Sequence, residues 1–200
     1  CEYRLGVIWI DAHADIHTPY TTPSGNMHGM PVAMACDIDN LECKINDPKS
    51  ETIEYWEQIK NVGIPGAKTN PDDFVYIAVR DLEKPENYLI NKYGMGFITT
   101  EEVKKMGAAK AAEEALKILE HCELIYVSFD VDSIDSRFST GTGTPVPNGL
   151  TVDEAKMLNQ ELAKSPKLCA WEIVEVNPTL DTENRMAESA FEIMETTART

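Results

Sequence analysis

Residues 5–15 read LGVIWIDAHAD, and residues 124–132 read LIYVSFDVD. In both, a nearly continuous apolar run breaks off at a cluster of acidic residues. Runs that are continuous rather than alternating, and rich in Val, Ile and aromatics, mark strands buried on both faces of a parallel sheet. Similar runs occupy 74–79 and 169–176, with a weaker one at 96–99. Helical stretches lie between them. Residues 101–121 carry Val103, Met106, Ala109, Leu116 and Leu119 at helical spacing, and 183–199 is a further helix. Residues 151–165 open on Thr151 with Glu154 three positions on, a capping box. Alternating strands and helices predict an α/β fold of three αβα layers around a mainly parallel sheet. The polar, breaker-containing stretch 37–69 is an excursion with one helix near 52–60. No internal repeat stands out, and residues 1–200 read as one domain.

In open parallel sheets, ligands collect beyond the carboxyl ends of the strands. Asp11, His13 and Asp15 follow the first run, and Asp130 and Asp132 end another. Alternate residues of an extended segment point the same way, so D-x-H-x-D and D-x-D can each aim several ligands at one place. Four carboxylates in one low-dielectric pocket repel each other strongly. Divalent cations would relieve that repulsion. Oxygen-rich donors with an imidazole suit Mn²⁺ or Mg²⁺ better than the sulfur-rich zinc pattern. A lone D-x-D is also an ordinary strand end or turn; two such clusters after buried-type strands point to metal.

With 34 acidic and 18 basic residues, the formal net charge is −16. That excludes a nucleic-acid or anionic-membrane surface, which needs clustered Lys and Arg. It suits metal cations, a cationic substrate, or plain solubility. Five cysteines without a C-x-x-C pair read as reduced thiols in a cytoplasmic protein rather than a disulfide framework or zinc cluster. No apolar run approaches the roughly 18 residues of a membrane span. The first four residues run straight into the first strand with no signal-peptide pattern, as though the chain were cut just before a core strand.

Four segments carry a resemblance: DAHADIHTPYTTPSGNMHG (11–29), SFDVDSID (128–135), TGTPVPNGLT (142–151) and EVNPTLD (175–181). Together with VYIAVRDLE (75–83), they resemble the signature segments of the arginase branch of the ureohydrolase family, in order and spacing from about residue 4 to 200. The resemblance implies an arginase/deacetylase-like fold and a binuclear Mn²⁺ centre. Asp11 and Asp130 would bridge the ions, His13 and Asp132 would complete one, and Asp15 would bind the other. His28 would shuttle protons, Glu175 would face the guanidinium of the substrate, and Thr144 would support it. Without the resemblance, His28 is an ordinary loop histidine and Glu175 a paired carboxylate at a strand end. The GTGTP run at 141–145 lacks the ending of a phosphate loop and reads as a tight loop shaping the site.

Two metal ions can lower the pKa of a shared water from about 15.7 towards 7, which makes a nucleophile for the guanidinium carbon. The implied reaction takes arginine to ornithine and urea. The α-carboxylate would be held by His17, Thr22, Ser24 and Asn26. His17 stands where the family usually has Asn; without the resemblance it reads as a residue that only caps its loop. The α-amino group would meet Glu83, one methylene longer than the usual Asp, assisted by Glu86. Agmatine or a guanidino acid is the alternative substrate. Two-metal phosphoester hydrolysis would need cationic clamps, and the motif loops offer only Arg80 and Arg137. An inactive, metal-poor fragment is the non-enzymatic reading. The resemblance further implies a homo-oligomer, a trimer or hexamer. It also implies an upstream Gly-Gly-Asp-His segment that would supply one more metal ligand, and earlier strands of the same sheet. Neither occurs here. The expectation is therefore the C-terminal portion of a longer chain, with one metal site complete and its neighbour lacking a histidine.

Overall fold

A computed structural model describes residues 3–200. Its strands are β1 (Leu5–Ile10), β2 (Phe74–Ile77), β3 (Gly96–Ile98), β4 (Leu124–Asp130) and β5 (Leu168–Val174). Its helices are α1 (Pro31–Ala35), α2 (Ser50–Lys60), α3 (Lys84–Tyr93), α4 (Thr100–Met106), α5 (Ala108–Ile118), α6 (Val152–Ala163) and α7 (Arg185–Ala198). The chain divides into two compact units. One comprises residues 13–72 and 82–95; the other comprises 3–12, 73–81 and 96–200.

The second unit holds the whole sheet, in the order β3-β2-β1-β4-β5, with every pairing parallel. Ile10 pairs with Ile77 on one side and Phe129 on the other. One face presents Ile8, Ile10, Val75, Ile77, Val127 and Phe129 to a continuous apolar cluster. Val103 of α4, Ala111 and Ala115 of α5, Leu158 and Leu162 of α6, and Ile193 of α7 complete it. Each fully buried large aliphatic side chain stabilises by roughly 1.5–3 kcal/mol. Asn159, buried on α6, donates to the Ala155 carbonyl and accepts from Trp171 Nε1 at 2.8 Å. This polar group inside the layer is therefore satisfied.

The parallel α/β architecture matches the expectation, and Thr151 and Glu154 form their capping box. Two expectations needed correction, and one helix has no counterpart among them. The helix expected over 101–121 is two helices. Gly107 sits between them at φ 90°, a conformation open mainly to glycine, and caps α4. The run at 169–176 is not buried on both faces: β5 is the outermost strand beside β4, and Cys169 and Ala170 are exposed. Helix α3 was not anticipated. Its start relies on a Glu83–Glu86 capping box and an early proline instead of an apolar stripe.

The first unit contains α1, α2 and α3, joined by long loops. Its least expected feature is a buried lysine. Lys60 Nζ lies 2.9 Å from Asp39 Oδ1, 2.9 Å from Glu57 Oε1 and 3.1 Å from Asp37 Oδ1. Trp56 Nε1 also donates to Asp39, at 2.7 Å. Burial alone would lower the Lys60 ammonium's pKa, but its hydrogen bonds to the three carboxylates outweigh burial and raise it.

Candidate metal centre

Parallel pairing brings the carboxyl ends of all five strands to one edge. Asp11 follows Ile10, and Asp130 closes β4. Glu175 comes one residue after Val174, the partner of Asp130. Three of the expected ligands therefore gather in the second unit. Asp11, Asp130 and Asp132 are all buried, at 1, 5 and 2 % exposure. Carboxylate oxygens of Asp11 and Asp132 lie within 4.8 Å of each other.

Local geometry explains how each is held. Residues Val131–Ser133 form one 3-10 turn, capped by Asp130 Oδ1, which accepts the Asp132 N–H at 2.7 Å. The turn reverses Asp132 so that its Oδ1 accepts the Ala12 N–H at 3.0 Å and its Oδ2 accepts the Thr144 hydroxyl at 3.2 Å. Asp11 Oδ2 accepts Trp9 Nε1 at 3.0 Å. Burial, and then the neighbouring charges of Asp11 and Asp132, push Asp130 up to about 11. A cluster whose members penalise each other's charge in this way is a donor set suited to a cation.

Glu175 is exposed and has φ 63°, a left-handed conformation costly for a residue with a Cβ. Its Oε2 approaches Gly143 of the GTGTP loop, where an added Cβ would lie 3.6 Å away. Asp15, in the first unit, has φ 50°. Strained backbone at two of the expected functional acids is the pattern seen where a fold over-determines a site.

The remaining expected residues belong to the first unit. His13 and Asp15 are half-buried, and His28 is exposed in the single turn Met27–Gly29. The loop of Thr22, Ser24 and Asn26 is pinned from within. Thr22 Oγ1 accepts the Gly25 N–H at 3.0 Å, and Ser24 Oγ accepts the Asn26 N–H at 3.2 Å. His17 is occupied by protein groups. Its Nδ1 is 3.1 Å from Thr21 Oγ1, and its Nε2 is 3.3 Å from Glu83 and 3.6 Å from Glu86. Burial raises Glu86, with His17 opposing.

Several supporting groups were not singled out from sequence. Trp9 steadies Asp11, and Glu172 on β5 accepts from Ser128 at 3.0 Å and from the Tyr126 hydroxyl. The signal was present as spacing: Trp9 precedes Asp11 by two residues, as Ser128 precedes Asp130, so each pair shares a face of its strand. The two arginines considered as phosphate clamps are otherwise engaged. Arg137 pairs with Asp135 at 2.8 Å, and the Arg80 guanidinium bonds peptide carbonyls.

A profile described as the Arginase family matches residues 1–198. The chain belongs to the arginase family. It is 38 % identical to "Arginase-1" of Homo sapiens over 183 residues, covering 88 % of this chain and 51 % of that protein. A crystal structure of arginase from Bacillus subtilis superposes with TM-score 0.85 at 34 % identity, covering all of this chain and 64 % of that one. Entamoeba histolytica arginase, solved in complex with L-ornithine, gives TM-score 0.83 at 32 % identity over 98 % of this chain and 60 % of that one. This member thus spans between half and two thirds of the length of these arginases. Among its described residues, no helix is long and apolar enough to cross a membrane.

Proposed function

We propose that this arginase-family chain carries most of a two-manganese centre that hydrolyses a guanidino compound, with L-arginine as substrate and L-ornithine and urea as products. The observation that carries the reading is the buried Asp11–Asp130–Asp132 cluster at the carboxyl edge of the sheet, in which Asp130 is pushed up to about 11. Family membership supports the reaction class, and the arginase with bound L-ornithine supports the product.

In this proposal Asp11, His13, Asp15, Asp130 and Asp132 would hold two Mn²⁺ ions. Bound Mn²⁺ would supply Lewis acidity for a water and for the substrate. The chain's own groups do the rest. Asp132 is locked by the Ala12 N–H and the Thr144 hydroxyl, so it presents a fixed orientation. Glu175 offers its negative charge to the guanidinium. Asp15 takes up the proton of the attacking water, and His28, exposed, returns one to the leaving amine. A C–O bond forms, a C–N bond breaks, and the amine departs neutral. Thr22, Ser24, Asn26 and His17 are the proposed contacts for the α-carboxylate, with Glu83 and Glu86 for the α-amino group.

One observation favours a second reading, agmatine. Glu83 and Glu86 converge on His17, which leaves that histidine engaged where a carboxylate contact is expected. Urea release by the full-length protein with Mn²⁺, measured with L-arginine and agmatine in parallel, decides between them. Arginine is expected to be the better substrate; a preference for agmatine would overturn the assignment.

A further inference from the structure

Arg80 lies three residues beyond β2, and no chemical role in the proposed reaction calls for it. Its guanidinium nonetheless donates to five peptide carbonyls. Nε donates to the Pro147 carbonyl at 2.9 Å. Nη1 donates to those of Ala78 at 3.1 Å and Ser133 at 3.4 Å. Nη2 donates to those of Asp132 at 2.9 Å and Val146 at 2.8 Å. The Arg80 backbone N–H donates to the Ala12 carbonyl at 2.9 Å.

These bonds close a ring. Arg80 N–H holds the Ala12 carbonyl, Ala12 N–H holds Asp132 Oδ1, and the Asp132 carbonyl holds Arg80 Nη2. The ring fixes the residue after Asp11 against Asp132. Through Val146 and Pro147 the same guanidinium anchors the loop from which Thr144 reaches Asp132 Oδ2. The space behind it is closed. A Cβ on Gly149 would lie 2.7 Å from Arg80 Nη2, 2.5 Å from the Ser133 carbonyl and 2.5 Å from the Asp135 nitrogen.

We propose that Arg80 is a positioning residue for the metal centre: its planar fork sets the orientation of Asp132 and the Asp11–Asp132 spacing, and it does not contact substrate. The inference rests on the metal reading above. Lysine cannot replace it, because an ammonium has three donors at one point whereas the guanidinium spreads five over a rigid plane. Charge and geometry therefore predict opposite signs. A nearby positive charge acting only electrostatically repels Mn²⁺, so its removal would tighten binding. A positioning fork lost to either Lys or Gln would loosen it.

The test is Mn²⁺ titration, with the electron paramagnetic resonance line shape of the bound ion, on the protein and on Arg80→Lys, Arg80→Gln and Arg137→Gln. Arg137 is a charge control, since it is exposed and bonds Asp135 in the same region. The expected result is affinity about tenfold to a hundredfold weaker in both Arg80 variants, the range seen when groups supporting metal ligands are removed. The line shape is expected to change in both and to stay wild-type in Arg137→Gln. Wild-type or tighter binding in Arg80→Gln would overturn the proposal, as would full rescue by Arg80→Lys. If the Gln variant does not fold, the Lys variant, which keeps charge and stem, decides alone. No Mn²⁺ binding by the wild-type protein would instead overturn the metal reading itself.

Discussion

Among the described residues, one cluster of three carboxylates in each unit bears comparison, and the two solve the same electrostatic problem differently. Asp37, Asp39 and Glu57 surround Lys60, and their joint effect is to raise the lysine. Asp11, Asp130 and Asp132 are supported by N–H, indole and hydroxyl donors, and there burial, followed by the charges of Asp11 and Asp132, pushes Asp130 up to about 11. The nearest guanidinium, Arg80, spends its donors on peptide carbonyls. The first cluster brings its own cation and is architecture. In the proposed reading, the second is where a cation from solution gains most.

The sharpest way to break this contrast is to remove one acid from each side. Asp130→Asn is expected to lower manganese-dependent urea release by about 10³-fold, the several kcal/mol that metal charge stabilisation supplies. It should also raise the melting temperature of the metal-free protein, because the variant no longer buries an ionisable carboxyl that must take up a proton on folding. A metal-free protein destabilised by this change would place Asp130 with the structural cluster instead.

Lys60→Met is the counterpart. It leaves three carboxylates around an apolar chain and is expected to cost about 3 kcal/mol by denaturant unfolding, with Mn²⁺ affinity unchanged. Its pH dependence has a definite sign. The raised lysine contributes fully below the ordinary lysine pKa of about 10.4 and loses that contribution as pH rises through its higher folded value. The gap between wild type and variant should therefore narrow only above about pH 10.4. A gap that closes near neutrality would show that another group governs it.

The smallest effect is expected at Arg137. Its hydrogen bond to Asp135 holds that buried carboxyl down to about 2. Such a depressed acid stabilises above the ordinary value of about 3.9 and loses that contribution as pH falls towards 2. Because Arg137 is mostly exposed, Arg137→Gln should lower stability at neutral pH only slightly, and less than Lys60→Met. In acid unfolding, its curve should meet the wild-type curve near pH 2.

The same contrast shows what was legible in the sequence. The strands and the acids after them could be read because a buried parallel strand and its carboxyl end are adjacent in the chain. Asp11, His13 and Asp15 sit directly after Ile10, and Asp130 and Asp132 span the end of β4. The capping box at Thr151 is equally local. Arg80 could not be read that way, because its acceptors come from residues 132, 133, 146 and 147, brought together only by the fold. The Lys60 cluster was hidden for the same reason, with Asp37 and Asp39 about twenty residues upstream in a stretch dominated by polar residues. Gly107 was visible, preceded by Lys104 and Lys105, as the ending of a helix. Apolar spacing on both sides suggested continuity instead.

The central claim is that the Asp11–Asp130–Asp132 cluster exists to bind a divalent cation. Calorimetric titration of Mn²⁺ into the metal-free protein and into Asp130→Asn, in the same buffer, tests it most directly. Saturable binding to the wild-type protein, with at least one ion per chain, is expected, and its loss in the variant. Equal binding by both proteins, or none by the wild type, would contradict it.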